Sequence, residues 1–456
     1  MKHDVLIVGG GFAGLSAGVA LARAGCSVRL IEQKPYLGGR ARSFVDSTTG
    51  CVVDNGQHLF MGCYHDTLRF LETIGTLDRI RFQPRLTLQF LDRQGNESSL
   101  TCPNLPAPWH LLAGVLVSNN FTSREKLQIL RLGRALDSSS RDRPCPSGQL
   151  TVDEWLARLG QSENLRRNFW DLLAIAAMNE DSRIASAAVF ERVLRLALFR
   201  SPADSRLGLA VTGLSECYTQ AATDFIAAHG GNVETGCDVS SFLIADGECR
   251  GVELRDGARL EARFVLSAVP CFSFVELLPA DLPRSKPFFE RLLSLSPAPI
   301  ISINFWFDRP LTDQAFIGLR GTTVQWLFNK GKILSDSGLR TPDSGLSRGS
   351  YISLVISGAH EHIARPKEDL QALALRELGE LIPLSREANL LHSLILKERF
   401  ATFSPTPAAE SVRPPATTPV RNLYLAGDWT STGLPATIEG AVKSGYTAAQ
   451  AILEAA

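Results

Sequence analysis

Three glycines and one acid near the N-terminus have the types and spacing of a phosphate-binding turn. Gly9, Gly11 and Gly14 form a Gly-x-Gly-x-x-Gly sequence, and Glu32 follows at the end of the next apolar run. The first glycine permits a tight turn, the second lets the backbone approach a pyrophosphate, and the third lets a helix pack closely on a strand. A carboxylate at position 32 binds ribose hydroxyls and disfavours a 2′-phosphate, so the pattern predicts FAD or NAD rather than NADP.

The segments around this turn have the patterns of strands and a helix. The apolar run Val5–Val8 predicts a buried parallel strand, Leu15–Ala24 has the apolar periodicity of a helix, and Ser27–Glu32 predicts a second strand. This is the order of a dinucleotide-binding βαβ unit, in which the helix N-terminus receives the phosphate. We therefore expect an α/β protein with a Rossmann-like fold.

Length and composition exclude several classes of protein. The 456 residues suffice for two or three domains, and the net charge of zero argues against nucleic acid as a partner. The nine cysteines include no Cys-x-x-Cys pair, so reduced thiols are expected rather than disulfides or a metal site. No run reaches the roughly 20 apolar residues of a membrane span, and the first strand begins too early for a signal peptide. We expect a soluble cytoplasmic protein without a bound metal.

A second cofactor motif lies at the other end of the chain. Leu423–Asp428 predicts a short buried strand that ends in Gly427-Asp428, and Thr437–Ile452 predicts a final helix with small residues on one face. The positive end of such a helix stabilises the anionic reduced ring of a flavin, and Asp428 can accept a hydrogen bond from a ribityl hydroxyl. Together with the N-terminal turn, this motif favours FAD over NAD.

Further motifs are Gly38–Arg42, Asp54–Phe60 and the segment at Val239. With Gly9–Gly14 and Ala426–Asp428, they resemble the FAD-dependent amine oxidoreductase superfamily, which includes amine oxidases and phytoene-type carotene desaturases. The resemblance implies an FAD-binding domain of the glutathione-reductase type, with amine oxidase and phytoene desaturase topology, and a second, mixed α+β substrate domain. It also implies that FAD is bound by Gly9, Gly11, Phe12, Ala13, Gly14, Glu32, Gln33, Gly39, Arg40, Arg42, Asn55, Gly56, Gln57, His58, Val239, Gly427, Asp428, Ala436, Thr437 and Ile438.

Longer stretches resemble one branch of that superfamily. Asp54–Tyr64, Phe169–Asn179, Ala187–Phe190 and Leu423–Ala441 look like the squalene-associated FAD-dependent desaturases, now understood as hydroxysqualene dehydroxylases of hopanoid-producing bacteria. The resemblance implies an enzyme of squalene and hopanoid biosynthesis that converts hydroxysqualene and reduced flavin into squalene, FAD and water. It further implies a long polyisoprenoid substrate, with upstream squalene-pathway enzymes and an unidentified electron donor as partners.

The expected FAD domain is discontinuous and consists of residues 1–85, 205–290 and 395–456. The expected substrate domain consists of residues 86–204 and 291–394, covers the flavin ring and forms a tunnel for the hydrocarbon. Three stretches rich in Gly, Ser, Asp or Pro are expected to be exposed loops: 134–150, 335–350 and 404–419.

Loss of the substrate hydroxyl as water requires a proton donor beside the flavin. His58 and Tyr64 are the predicted catalytic candidates, with Asp54 and His65 behind them. A proton delivered by water, and a purely structural role for His58, are the alternatives. The strand Pro299–Phe307 has no lysine of the kind that an amine oxidase needs near flavin N5, and its apolar side chains suit either a hydrocarbon wall or an ordinary β-core.

One segment has the composition of a membrane-interface helix. Leu105–Val117 contains a tryptophan and a dense aliphatic run, and Arg124, Lys126 and Arg131 follow it. A short helix of this kind can lie in the bilayer interface with its basic residues at the headgroups, in this case on the inner face of the cytoplasmic membrane. A buried core helix explains the same residues equally well.

Three other functions are compatible with parts of the pattern. A carotene desaturase or isomerase uses the same fold, with oxidised FAD taking hydride from a polyene. An amine or amino-acid oxidase is disfavoured by the absence of the lysine. A non-enzymatic prenyl-binding protein of the Rab-escort type is disfavoured by the intact Gly9–Gly14 turn, Glu32 and Asp428.

Overall fold

The computed structural model describes residues 3–137, 148–279, 282, 286–335 and 350–456. The loop expected at 134–150 begins later than predicted, because residues 134–137 belong to a helix, Ser123–Asp137. The remainder of that loop up to residue 147, and nearly all of the loop expected at 335–350, lie outside the described residues.

The strands of the described residues fall into four sheets. In chain order they are β1 His3–Val8, β2 Val28–Glu32, β3 Ser43–Val45, β4 Val52–Asp54, β5 Phe60–Met61, β6 Ile80–Phe82, β7 Thr87–Asp92, β8 Glu97–Thr101, β9 Leu207–Ala210, β10 Asn232–Thr235, β11 Val239–Ala245, β12 Glu248–Leu254, β13 Arg259–Ser267, β14 Pro297–Phe307, β15 Phe316–Arg320, β16 Trp326–Asn329, β17 Ser350–Ser357, β18 Leu390–Phe403 and β19 Leu423–Leu425.

Helices connect and cover these sheets. In chain order they are α1 Phe12–Arg23, α2 His65–Thr73, α3 Trp109–Val117, α4 Ser123–Asp137, α5 Val152–Arg158, α6 Glu163–Leu165, α7 Asp171–Met178, α8 Ala187–Leu198, α9 Thr219–Ala228, α10 Cys271–Glu276, α11 Pro287–Leu292, α12 Lys330–Ser335, α13 Lys367–Leu381, α14 Pro407–Val412 and α15 Ile438–Ala455. A π-helical turn, Arg166–Trp170, joins α6 to α7.

The first large sheet is built around the N-terminal strand. Its order is β10-β2-β1-β13-β12-β11, with β19 paired to β13, and β1 runs parallel to both β2 and β13. Side chains of α1 and α15 join one core cluster with Val5 and Ile7 of β1, because both helices lie on the same face of the sheet. The predicted α/β class is confirmed, and β1, α1 and β2 form the expected βαβ unit.

The second large sheet has the order β18-β14-β17-β16-β15-β7-β8 and is mostly antiparallel. Helix α13 covers one of its faces, where Leu370 and Leu378 join a cluster with Ile301, Ile303 and Phe305. Strand β18 runs across residue 395, at which the sequence analysis placed a domain boundary. The domain boundaries stay predictions.

A small hairpin of β3 and β4 packs against the second large sheet. Val53 of this hairpin clusters with Trp306 of β14 and Tyr351 of β17, whose rings stack with centroids 4.4 Å apart. The Trp306 Nε1–H donates to Cys51 Sγ at 3.4 Å. These contacts hold the Asp54–Phe60 segment beside the second sheet.

The prediction of an exposed loop at 404–419 was wrong in its first half. Thr406 caps the short helix α14 by accepting a hydrogen bond from the backbone N–H of Ala409 at 3.1 Å, and Pro407 occupies the first helical turn, where its missing N–H costs nothing. Arg413 is buried behind this helix. Pro407 therefore starts a helix here rather than marking an exposed loop.

Candidate active site

The glycine turn after β1 has the geometry of a phosphate-binding turn. Gly9 has a φ of +111°, which favours glycine, and a Cβ atom at Gly14 would lie 1.9 Å from the carbonyl oxygen of Gly9. A Cβ atom at Gly11, which precedes α1, would meet no described atom within 4 Å. The first and third glycines are thus required by the backbone, whereas the second faces open space at a helix N-terminus, where an anion is stabilised.

Glu32, the predicted ribose-binding residue, contacts this turn directly. Its Oε2 accepts the backbone N–H of Gly10 at 2.7 Å, and its Oε1 accepts that of Lys34 at 2.9 Å. A carboxylate has about four acceptor positions, so two contacts leave capacity for ribose hydroxyls. The neighbouring Gln33 donates to Asp238 at 2.9 Å, which brings the end of β2 to the start of β11 at Val239.

A stacked aromatic pair holds the Gly38–Arg42 turn against α1. The rings of Phe12 and Tyr218 are 3.7 Å apart and nearly parallel, and the Tyr218 hydroxyl donates to the carbonyl oxygens of Gly38 and Ala41 at 2.9 and 3.0 Å. A Cβ atom at Gly39 would lie 3.5 Å from Gly11 Cα, so the two turns adjoin. Sequence reasoning missed Tyr218, because a tyrosine just before a helix has no local signal for this contact.

Arg40 and Asp428 join the two ends of the chain. The Arg40 Nη2–H donates to Asp428 Oδ1 at 2.7 Å, and its Nη1–H donates to the carbonyl oxygen of Ala401 at 2.6 Å. Burial acts to lower the pKa of Arg40, whereas the carboxylate of Asp428 raises it by stabilising the charged guanidinium. The net result is a raised pKa. Arg413 Nη2–H in turn donates to the carbonyl oxygen of Asp428 at 3.0 Å and positions that residue from behind.

The N-terminal part of α15 is hydrogen-bonded to Gly427, the residue before Asp428. Thr437 caps the helix by accepting the backbone N–H of Gly440 at 3.0 Å, and Ala436 precedes the cap. Ser444 of the helix accepts the backbone N–H of Gly427 at 2.7 Å. The predicted residues between Gly427 and Ile438 therefore lie in the connection that leads from β19 to the start of α15.

The Asp54–Phe60 segment contacts the Gly38–Arg42 turn directly. Asn55 donates its backbone N–H to the carbonyl oxygen of Arg42 at 2.8 Å and its Nδ2–H to that of Arg40 at 3.2 Å. A Cβ atom at Gly56 would be 3.9 Å from both His58 Nε2 and Ser302 Oγ, so this segment reaches strand β14. Residues 55–59, which include Gln57, are neither fully buried nor exposed.

His58 is neutral at physiological pH. The pKa of His58 is lowered to about 4, chiefly by burial; the charge of Asp54 opposes this shift, and the charges of Arg40 and Lys330 add to it. The ring therefore lacks the extra proton that an imidazolium acid would donate. It can still accept or donate a hydrogen bond as neutral imidazole.

Tyr64, the other catalytic candidate, immediately precedes helix α2 and packs against the cluster that contains Phe12, Phe70 and Ile438. Burial raises the pKa of its phenol, and the nearby Cys63 and Glu439 raise it further. The phenol therefore keeps its proton at neutral pH.

A buried ion pair, which the sequence analysis did not predict, lies beside His58. Lys330, the first residue of α12, donates from Nζ to Asp54 Oδ2 at 2.7 Å, and the two side chains are 2% and 6% exposed. Asp54 Oδ1 also accepts Ser43 Oγ–H at 2.7 Å and the backbone N–H of Leu214 at 2.9 Å. Burial alone would raise the pKa of Asp54, but Lys330 and these hydrogen bonds lower it.

Strand β14 has two different faces, as expected for the two-residue period of a strand. Ile301, Ile303 and Phe305 belong to the core under α13. Of the alternate residues, Ser302 faces Gly56, and Asn304 accepts the Tyr351 hydroxyl at 3.2 Å. The apolar residues at odd positions are therefore β-core, and the face toward the Asp54–Phe60 segment carries the polar Ser302 and Asn304 together with Trp306.

Comparisons with known proteins identify the family. The family model for flavin containing amine oxidoreductases matches residues 12–453. The chain belongs to this family. Its cofactor is FAD, and the open face of Gly11, the free acceptor capacity of Glu32 and the paired Arg40 and Asp428 fit that group.

Full-length relatives within the family have two different names. A hydroxysqualene dehydroxylase of Rhodopseudomonas palustris is 31% identical over 464 aligned residues, covering 100% of this chain and 99% of that protein. A 15-cis-phytoene desaturase of Synechococcus elongatus is 28% identical, covering 98% of this chain and 95% of the other. The comparisons support a FAD-dependent oxidoreductase.

Solved structures agree with this fold. An oxidoreductase from Methanosarcina mazei aligns with a TM-score of 0.75 at 19% identity, covering 99% of this chain and 100% of the other. A putrescine oxidase bound to putrescine aligns with a TM-score of 0.71 at 16% identity, covering 100% of this chain and 99% of the other. At such identities the likeness concerns the fold alone.

Proposed function

We propose that this enzyme removes the hydroxyl group of hydroxysqualene reductively and thereby forms squalene. The observation that carries the proposal is similarity along the whole chain to the Rhodopseudomonas palustris hydroxysqualene dehydroxylase. A second protein of that name, from Zymomonas mobilis, is 27% identical and covers 98% of each chain. The conversion consumes hydroxysqualene, anionic two-electron-reduced FAD and a proton, and it yields squalene, oxidised FAD and water.

When bound and reduced, FAD supplies the hydride. The chain contributes a site that contains two ion pairs, Arg40 with Asp428 and Lys330 with Asp54. An unpaired buried charge is costly beside a hydrocarbon, so such pairing suits an uncharged polyisoprenoid substrate.

We assign His58 a hydrogen-bonding role toward the departing oxygen rather than the role of acid. Because its pKa is about 4, His58 carries no extra proton at neutral pH. The protonated Tyr64 phenol remains the candidate side-chain donor, and delivery through water is the other route.

Incubation of dithionite-reduced enzyme with hydroxysqualene without oxygen tests the proposal. Squalene should appear in the lipid extract while the flavin absorbance of the oxidised state returns. Oxidised enzyme without dithionite is the control and should form no squalene. A flavin that stays reduced, with no squalene formed, would contradict the proposal.

A phytoene-type desaturase is the second candidate, because relatives of that name also match along the whole chain. Oxidised enzyme incubated with phytoene without oxygen distinguishes the two. Bleaching of the flavin together with a new polyene absorbance would favour desaturation, since oxidation of the substrate must reduce the cofactor.

A further inference from the structure

Helix α3 has an apolar face that no described residue covers. Trp109, Leu116 and Val117 are 59%, 50% and 80% exposed, whereas His110, Gly114 and Val115 on the other side are buried. The helix is therefore attached to the core by one face only. The sequence allowed either a buried core helix or a helix at the membrane interface. Helix α3 has a buried face, as the first requires, and an exposed apolar face, as the second requires.

Helix α4 adds positive charge next to this apolar face. Arg124, Leu127, Arg131 and Arg134 are exposed, and their spacing places them along one side of the helix. Lys126 of the same helix donates from Nζ to the carbonyl oxygen of Leu116 at 2.7 Å, which ties α4 to the end of α3.

The acid in this part of α4 does not neutralise the arginines. Glu125 is the acidic residue among residues 123–136, and it is buried. Its carboxylate accepts hydrogen bonds from Thr122 and Asn164. The exposed side of α4 thus has three guanidinium groups and a leucine, without an acid from residues 123–136.

We infer that the α3–α4 face, formed by Trp109, Leu116, Val117, Leu127 and the three arginines, docks on an anionic lipid bilayer. Aromatic and aliphatic side chains beside arginines match the acyl boundary and the anionic headgroups of such a surface. None of the described helices is long and apolar enough to cross a membrane, so the contact is with one leaflet.

The evidence for docking is the set of exposed residues, and it does not depend on which reaction the enzyme catalyses. The benefit of docking for catalysis rests on the proposed function, because a polyisoprenoid substrate partitions into the bilayer. Docking would then place the enzyme where its substrate is concentrated.

Co-sedimentation of the FAD-loaded enzyme with lipid vesicles tests the inference. One set of vesicles contains phosphatidylcholine alone, and the other contains phosphatidylcholine and phosphatidylglycerol in equal parts. We expect binding to the anionic vesicles that weakens as salt is raised. Each arginine near the surface contributes about fivefold in affinity, so Arg124→Gln, Arg131→Gln and Arg134→Gln together should weaken binding by roughly 100-fold.

Two further variants separate the apolar contribution from general surface effects. Leu116→Ser with Val117→Ser should weaken binding to both kinds of vesicle. The matched control is Leu293→Ser with Leu391→Ser, which alters exposed leucines elsewhere and should bind as the wild type does. Flavin content of every variant, measured by absorbance, shows that each is folded.

Three results would overturn the inference. The first is that the wild type does not bind anionic vesicles. The second is that the control variant weakens binding as much as the Leu116 and Val117 variant does. The third is that the Leu116 and Val117 substitutions change the oligomeric state of the protein and leave vesicle binding unchanged. The last result would assign the face to a second copy of the chain. Because the assay contains no hydroxysqualene and no reductant, its outcome is independent of the proposed reaction.

Discussion

Replacement of Lys330 by methionine should strongly destabilise the protein at neutral pH. The substitution keeps the length of the side chain but leaves Asp54, which is 6% exposed, without its cation. Removing one partner of a buried ion pair typically costs about 3–5 kcal/mol. Asp54 keeps its contacts with Ser43 and Leu214, so we expect a loss near the lower end, about 3 kcal/mol.

The loss should depend on pH in a defined direction. In the wild type the pKa of Asp54 is lowered from its ordinary 3.8, so its contribution to stability is present above that value and is lost as the pH falls through the folded pKa. In the variant, burial without Lys330 should raise the folded pKa, so stability is lost as the pH rises through it. The difference between the two proteins should therefore be largest at neutral pH and shrink toward pH 4.

Chemical denaturation of the FAD-loaded proteins, followed by tryptophan fluorescence, measures this difference. Lys332→Met is the matched control, because it removes an exposed lysine of the same helix. The double variant Lys330→Met with Asp54→Asn should lose less than the sum of the two single losses, since it leaves no buried charge. If Lys330→Met costs no more than Lys332→Met, or if the loss is the same at pH 4 and pH 7, the account of the pair is wrong.

Three other predictions concern the cofactor and His58. Glu32→Ala removes the carboxylate that is predicted to bind ribose and should weaken FAD binding roughly 10- to 100-fold, the equivalent of about 1.5–3 kcal/mol for hydrogen bonds to a charged group; unchanged flavin content after dialysis would refute that role. Gly14→Ala places a Cβ atom 1.9 Å from the Gly9 oxygen and should give protein with little flavin, whereas Gly133→Ala, with no described atom within 4 Å, should retain it. Because the pKa of His58 is about 4, His58→Gln should leave the shape of the pH–rate profile between about pH 6 and 8 unchanged. A wild-type acid limb near pH 6.5 that disappears in the variant would refute this.

Local signals were sufficient to predict the cofactor half of the fold. The turn at Gly9–Gly14 depends on backbone geometry within a few residues, and the apolar runs on either side of it have clear periods. The final strand and helix were predicted for the same reason. The roles of the individual side chains in binding FAD stay predictions.

The sequence could not indicate which distant side chains meet. Lys330 and Asp54 are 276 positions apart, and a lysine after the apolar run Trp326–Phe328 looks like the end of a strand that reaches solvent. Its burial depends on how the second sheet sits against the β3–β4 hairpin. The residues of β14 were ambiguous in a similar way, because the core under α13 and a substrate wall both require apolar residues.

The pairing of strands also sets the order in which the site can form during synthesis. Strand β1 lies between β2 and β13, β13 in turn pairs with β19, and Arg40 takes its carboxylate partner from Asp428. The N-terminal turn and Arg40 leave the ribosome long before β13 and β19, which complete the sheet, and before Asp428, which pairs with Arg40. A nascent chain that lacks Asp428 therefore carries only part of the predicted FAD site, and we expect full binding of the cofactor only after α15 has been synthesised.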